Sequence, residues 1–284
     1  MLFRSFHSVS QLRKAREEFP SLCIPICLLP ATISNNVPGT EYSLGSDTCL
    51  NELVQYCDKI KQSASATRRR VFVIETQGGR SGYIATLSGL SVGASAVYTP
   101  EEGISLEMLN ADVNHLKDVF GHDQGQSRAG RLILVNEKAS KVYDAKLIAD
   151  IIREEAHDRF ESRESIPGHV QQGGVPSPMD RCRAVRLAIK CIQHLEDFGR
   201  GAHNRVKKDP NSATVIGIRG SEVVFTPMKT LEEQDTDWPN RRPRTAHWLV
   251  LRDVVDMLGG RPEYPRPEKS LTGLIAKDTK RGLA

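Results

Sequence analysis

Arg70-Val71-Phe72-Val73-Ile74-Glu75-Thr76-Gln77-Gly78-Gly79 sets the reading of the whole chain. Four apolar residues, three of them β-branched, run straight into a polar turn with paired glycines. Such a run reads as a strand covered on both faces, followed by a sharp connection. Outward from it, Leu22–Leu29 and Leu132–Val135 repeat the pattern. Between these runs the apolar spacing switches to helical. Leu50, Leu53, Val54, Cys57 and Ile60 fall on one face, as do Leu106, Leu109, Val113, Leu116 and Phe120, and again Ile148, Ile151 and Ile152. Val185, Ala188, Ile189, Ile192 and Leu195 predict a further amphipathic helix. Strands at Val215–Ile218 and Val223–Phe225 and a helix around Trp248–Leu258 complete the series. Alternation of this kind predicts an α/β fold, its sheets mainly parallel with helices on both faces.

The sequence has 284 residues, enough for one large domain or two ordinary ones. With 39 Lys+Arg against 35 Asp+Glu its net charge is +4, and the basic residues are dispersed, which argues against a nucleic-acid partner. The longest apolar run, Leu22–Leu29, falls short of the roughly 18–20 residues that cross a bilayer, so no membrane partner is expected. Cys23 and Cys27, four apart in that run, are expected on one strand face. No C-x-x-C pair occurs, so reduced core cysteines, a cytoplasmic location and no metal site are expected. Met1–Arg16 lacks acidic residues and carries Arg4, Arg13, Lys14 and Arg16, which suits a mitochondrial presequence or an ordinary surface helix. After Gly259-Gly260 prolines and charges dominate, and residues 266–284 read as a loose tail to a domain over 1–265.

Chemistry in an open α/β sheet sits in the turns after the strands. Four turns are dense in glycine and polar residues: Pro30–Thr40, Glu75–Gly82, Asn136–Lys138 and Pro167–Gly174. Glycines let backbone N–H groups converge on an anion, and arginines such as Arg70 and Arg163 pair with phosphate in bidentate fashion. An ionised Glu137 accepts only, which suits sugar hydroxyls. Together these features point to a phosphorylated sugar.

At the same turns the sequence resembles the ATP-dependent 6-phosphofructokinases, and specifically the C-terminal half of the fused eukaryotic, fungal-like type. The resemblance rests on Pro-Ala-Thr-Ile-Ser-Asn-Asn-Val-Pro-Gly-Thr at 30–40 and Arg-Arg-Val-Phe-Val-Ile-Glu-Thr-Gln-Gly-Gly at 69–79. It continues in Asn136-Glu137 and in Pro-Gly-His-Val-Gln-Gln-Gly-Gly at 167–174, which leads on to Pro178-Met179-Asp180-Arg181. It runs from about Phe3 to Arg261 and implies a two-lobed phosphofructokinase-like fold. The family's Gly-rich nucleotide loops lie upstream of the matched segment, so the larger lobe is expected to be incomplete. A fragment, or a subunit relying on a partner to cover an exposed sheet edge, is the expectation.

Active members are similar at the first turn but read Thr-Ile-Asp-Asn-Asp, and Ser34 and Asn36 stand here in place of the two carboxylates. A serine hydroxyl cannot act as general base at neutral pH, a loss of about 10²–10⁴-fold in rate. An amide is also a poor magnesium ligand beside a carboxylate. The resemblance therefore implies no catalytic residue, metal or cofactor in this chain, with ATP and magnesium belonging to the complete family enzyme. It implies instead a regulatory pocket for fructose 2,6-bisphosphate or a related sugar phosphate. Thr32, Ser34, Asn35 and Asn36 would face the ligand, Gln77, Gly78 and Gly79 would offer backbone donors, and Glu137 would take sugar hydroxyls. His169, Gln171 and Gln172 would bind a phosphate, and Arg241 matches a basic position of the regulatory half. Arg70 and Arg163 would reach the pocket of a neighbouring subunit in a homo- or hetero-oligomer of phosphofructokinase subunits. Two other readings stay open: an active kinase completed by a partner chain, and a structural remnant that binds nothing.

Overall fold

The computed structural model describes residues 2–66, 69–122, 130–199 and 203–261. In chain order the first elements are α1 (Leu2–Ala15), β1 (Ile26–Leu28), α2 (Ser46–Ala66), β2 (Arg70–Thr76), α3 (Tyr83–Val92) and β3 (Ala96–Tyr98). Then come α4 (Leu106–His122), β4 (Arg131–Asn136), α5 (Ala145–Ala156), β5 (Glu161–Ser165), α6 (Pro178–Gly199) and α7 (His203–Lys208). The chain ends in β6 (Ala213–Arg219), β7 (Glu222–Pro227), α8 (Met228–Thr230), β8 (Thr236–Asp237), β9 (Arg242–Pro243) and α9 (Trp248–Gly259). Two compact units divide it: Met1–Asn51 with Gln172–Ala246, and Glu52–Gln171 with His247–Ala284. The expected tail, 266–284, lies outside the described residues.

The second unit holds a four-stranded parallel sheet in the order β3-β4-β2-β5. Val71, Val73, Ile133 and Val135 form one core with Leu109, Val113 and Leu116 of α4 and Ile148 and Ile152 of α5. By the two-residue period Phe72, Ile74, Leu132 and Leu134 point to the other face, and they are buried too. There α3 approaches so closely that a Cβ on Gly89 would lie 2.3 Å from a methyl of Val97. Burial on both faces is what near-continuous apolar strands require. Leu106, expected on the buried face of α4, is 63% exposed because the helix starts there, ahead of its contact with the sheet.

The first unit is built on a three-stranded sheet, β1-β6-β7, with β1 and β6 parallel and β6 and β7 an antiparallel hairpin. Beneath it α1 buries Phe3 and Phe6 in a cluster with Leu28, Val37, Val215 and Leu231, so the N-terminal basic stretch is a packed helix. One expectation needs correction. The run 22–29 is not one strand: Pro25 interrupts it, Pro20–Leu22 is a 3₁₀ turn, and Cys23 lies outside β1. Cys27 instead sits near Cys191, and burial followed by a hydrogen bond with Cys191 pushes its thiol up to about 12. The predicted helix α6 forms and packs on the sheet through Leu187 and Cys191, while Val185, Ile189 and Ile192 are 62%, 52% and 58% exposed. This helix has two apolar stripes, and its periodicity marks the outward one.

One close approach ties the sheet to the loop that follows β1. Gly217 lies within β6, and a Cβ there would sit 2.0 Å from the carbonyl oxygen of Gly39. Substituting Gly217→Ala forces backbone apart and is expected to cost about 1–3 kcal/mol. Chemical denaturation measures this, and an unchanged midpoint would contradict the packing described.

Candidate functional site

In the second unit the candidate site follows from strand order. The chain leaves β2 through α3 on one face toward β3, and leaves β4 through α5 on the opposite face toward β5. Connections that depart in opposite directions open a crevice at the carboxyl ends of the two adjacent strands. Gln77–Gly79 and Glu137 meet there, because Thr76 and Asn136 are register partners. Glu137 Oε1 accepts from the backbone N–H groups of Gly78 at 3.3 Å and Gly79 at 3.0 Å. Gln171, only 1% exposed, accepts from Gln77 N–H at 2.9 Å and donates to Gln77 C=O at 3.0 Å. Asn136 Nδ2 donates to Ser81 C=O at 2.9 Å. Gly78 leaves no room for a side chain, since a Cβ would lie 2.8 Å from that same Nδ2, and Gly79 has a φ of 60°. The N–H groups of Gln77, Gly78 and Gly79, expected to meet a ligand, are here taken up by the side chains of Gln171 and Glu137.

In the first unit the loop after β1 carries no carboxylate between Pro30 and Thr40. Thr32 Oγ1 accepts from Ser34 N–H at 3.3 Å. Asn35 adopts a φ of 47°, and its buried side chain staples the loop. Its Oδ1 accepts from Ser43 N–H and Oγ at 2.8 and 3.0 Å, and its Nδ2 donates to Glu41 C=O at 2.6 Å. Asn36 Nδ2 donates to Arg241 C=O at 3.0 Å, which brings two expected site residues together. Asp180, which pattern reading leaves without a role, binds the amino end of α2. It accepts from Gly45 N–H at 3.0 Å and from Thr48 N–H and Oγ1 at 2.8 and 2.6 Å. A carboxylate there satisfies orphan N–H groups and offsets the helix dipole.

The phosphofructokinase family matches residues 3–195. The chain belongs to the phosphofructokinase family. It is 58% identical over 268 residues to an ATP-dependent 6-phosphofructokinase of Aspergillus fumigatus, covering 93% of this chain and 33% of that protein. It is 52% identical to the beta subunit of the Komagataella phaffii enzyme, covering 91% of this chain and 28% of that one. Its fold superposes on phosphofructokinase from Saccharomyces cerevisiae with a TM-score of 0.87 and 47% identity, covering 92% of this chain and 36% of the other. The chain thus spans about a third of the length of the curated phosphofructokinases it matches.

Against this family frame, the structure groups some expected site residues and separates others. Gln77, Gly78, Gly79, Glu137 and Gln171 form one cluster. The amide of Gln171 is spent on the Gln77 backbone, which makes it a positioning residue for the turn. His169 shares the 3₁₀ turn Gly168–Gln172 with it and is exposed, as is Gln172. Arg70 and Arg163 lie elsewhere. Arg70 opens β2, about 20 Å from the carboxyl end at 3.3 Å per residue. Both arginines bind Glu161, Arg70 at 2.5 Å and Arg163 at 2.7 Å, and Arg163 first, then Arg70, holds that carboxyl below its usual range. Nothing in the sequence pattern foretold Glu161, because β5 is Glu-Ser-Arg-Glu-Ser with no apolar residue. Among the described residues no group of three or more His, Cys, Asp or Glu could hold a metal ion.

Glu75, at the end of β2, reports on the site's electrostatics. Burial, then the charges of Glu137 and Asp144, raise its carboxyl above the ordinary 4.5. An acid with a raised folded-state value destabilises the fold once ionised. That penalty is absent below the ordinary carboxylate value and grows as pH rises through the raised one. Glu75→Gln is therefore expected to raise the melting temperature at neutral pH, with the gain vanishing in acid. A gain independent of pH, or a loss at neutral pH, would contradict this account.

Proposed function

We propose that this chain is the sugar-phosphate-binding part of a regulatory, C-terminal-type half of ATP-dependent 6-phosphofructokinase. It binds fructose 2,6-bisphosphate, or a closely related sugar bisphosphate, without turning it over. The observation that carries the reading is the uncharged loop Thr32–Asn36, in which Ser34 and Asn36 stand where active members carry carboxylates. Without those charges no general base is present, and a second phosphate on the sugar meets less repulsion. The bonding of the loop supports this: Asn36 is tied to the Arg241 backbone, which leaves a basic side chain next to an uncharged loop. Glu137 supports it as well. A carboxylate offers about four acceptor sites, so one that serves Gly78 and Gly79 retains capacity for sugar hydroxyls. Arg70 and Arg163, far along the sheet from this cluster, serve a neighbouring phosphofructokinase subunit in this reading.

Calorimetric titration of the full chain with fructose 2,6-bisphosphate tests the proposal. Saturable heat is expected, and Asn36→Asp should weaken binding about tenfold by placing a like charge near a phosphate. No heat from demonstrably folded protein would refute the reading. So would turnover of fructose 6-phosphate and ATP that is abolished by Ser34→Ala, which would mark a working kinase.

A further inference from the structure

The outward stripe of α6 has no role in the site. Cys182, Val185, Ile189 and Ile192 recur at steps of three, four and three, all exposed, on a 22-residue helix. At 100° per residue the stripe lies nearly opposite Leu187 and Cys191, which pack on Ile216 and Ile218 of the sheet. A helix apolar on two opposite faces is a helix built to be covered on both. Val175, 73% exposed, lies just before its start. In the same unit β1 is the outer strand of its sheet among the described residues. A bare helix stripe and a sheet edge both call for polypeptide rather than a small ligand.

A second α6 is a poor occupant. Laid antiparallel it would bring Arg186 and Lys190, which line one side of the stripe, against the same two residues of its copy. The relatives supply another candidate, since the matched region is only 33% of the Aspergillus fumigatus protein. We propose that the α6 stripe is a docking surface for an amphipathic helix of phosphofructokinase polypeptide lying outside the part this chain spans. This rests on reading the chain as part of a larger phosphofructokinase. Steps of three and four select a helical partner whose side chains fill the gaps between Cys182, Val185, Ile189 and Ile192.

Cys182 is a built-in probe. A maleimide should label it rapidly in the full chain, with mass spectrometry separating it from the buried Cys23, Cys49 and Cys57. In a full-length chimera carrying this chain in place of the matched third of the Aspergillus fumigatus enzyme, labelling should slow at least roughly tenfold, because a covered thiol reacts only on local opening. The double variant Val185→Ser/Ile189→Ser should leave the denaturation midpoint of the isolated chain unchanged and lower the melting temperature of the chimera. Leu187→Ser should lower both. Equal labelling of Cys182 in chimera and isolated chain would overturn the proposal. So would an isolated chain destabilised by the double variant as strongly as by Leu187→Ser, an arm that does not need the chimera to accumulate. Neither readout involves a sugar phosphate, so its outcome and that of the ligand titration are independent.

Discussion

The parallel pairing of β2 with β4 governs what the second unit can do. Six register pairs, from Val71 with Arg131 to Thr76 with Asn136, bring the two carboxyl ends level. Because α3 and α5 then leave on opposite faces, the crevice opens between those ends and nowhere else along this pair. The turn after β2 must satisfy its backbone N–H groups there, and a buried donor left unpaired costs roughly 1–3 kcal/mol. Glu137 and Gln171 meet that demand from β4's own extension and from the turn after β5. Strand pairing thus fixes the loop, and the loop fixes a cluster of amides facing a carboxylate.

In the first unit the controlling feature is charge that is absent. The loop after β1 keeps a fixed shape through Asn35, through the close contact of Gly39 with Gly217, and through the bond from Asn36 to the Arg241 carbonyl. Those restraints do not depend on carboxylates at 34 or 36. In the proposed reading, a loop held this way keeps its form without carboxylates at those positions, so it can bind a ligand without turning it over.

Much of this was legible in the sequence, for identifiable reasons. Val71–Ile74 and Leu132–Val135 announced buried strands because burial on both faces demands unbroken apolar runs. The Gly-Gly turn and Asn136-Glu137 announced the crevice because a tight turn needs glycine and its N–H groups need an acceptor. β5 stayed hidden, since Glu161–Ser165 is a strand by pairing with β2 and has no apolar pattern of its own. Asp180 and Gln171 stayed hidden for a related reason: each acts on backbone distant in sequence, at Gly45 and Thr48 or at Gln77, and no local spacing encodes such a bond. On α6 the helical pattern was legible, but periodicity reports an apolar face and not what covers it.

The proposal turns most directly on whether the uncharged loop of the first unit binds a sugar bisphosphate without chemistry. Hydrogen–deuterium exchange of the full chain with and without fructose 2,6-bisphosphate tests it most directly. Slowed exchange is expected in peptides covering 30–41, with the ligand recovered unchanged. Exchange unaltered there in a folded chain, or conversion of the ligand, would contradict it.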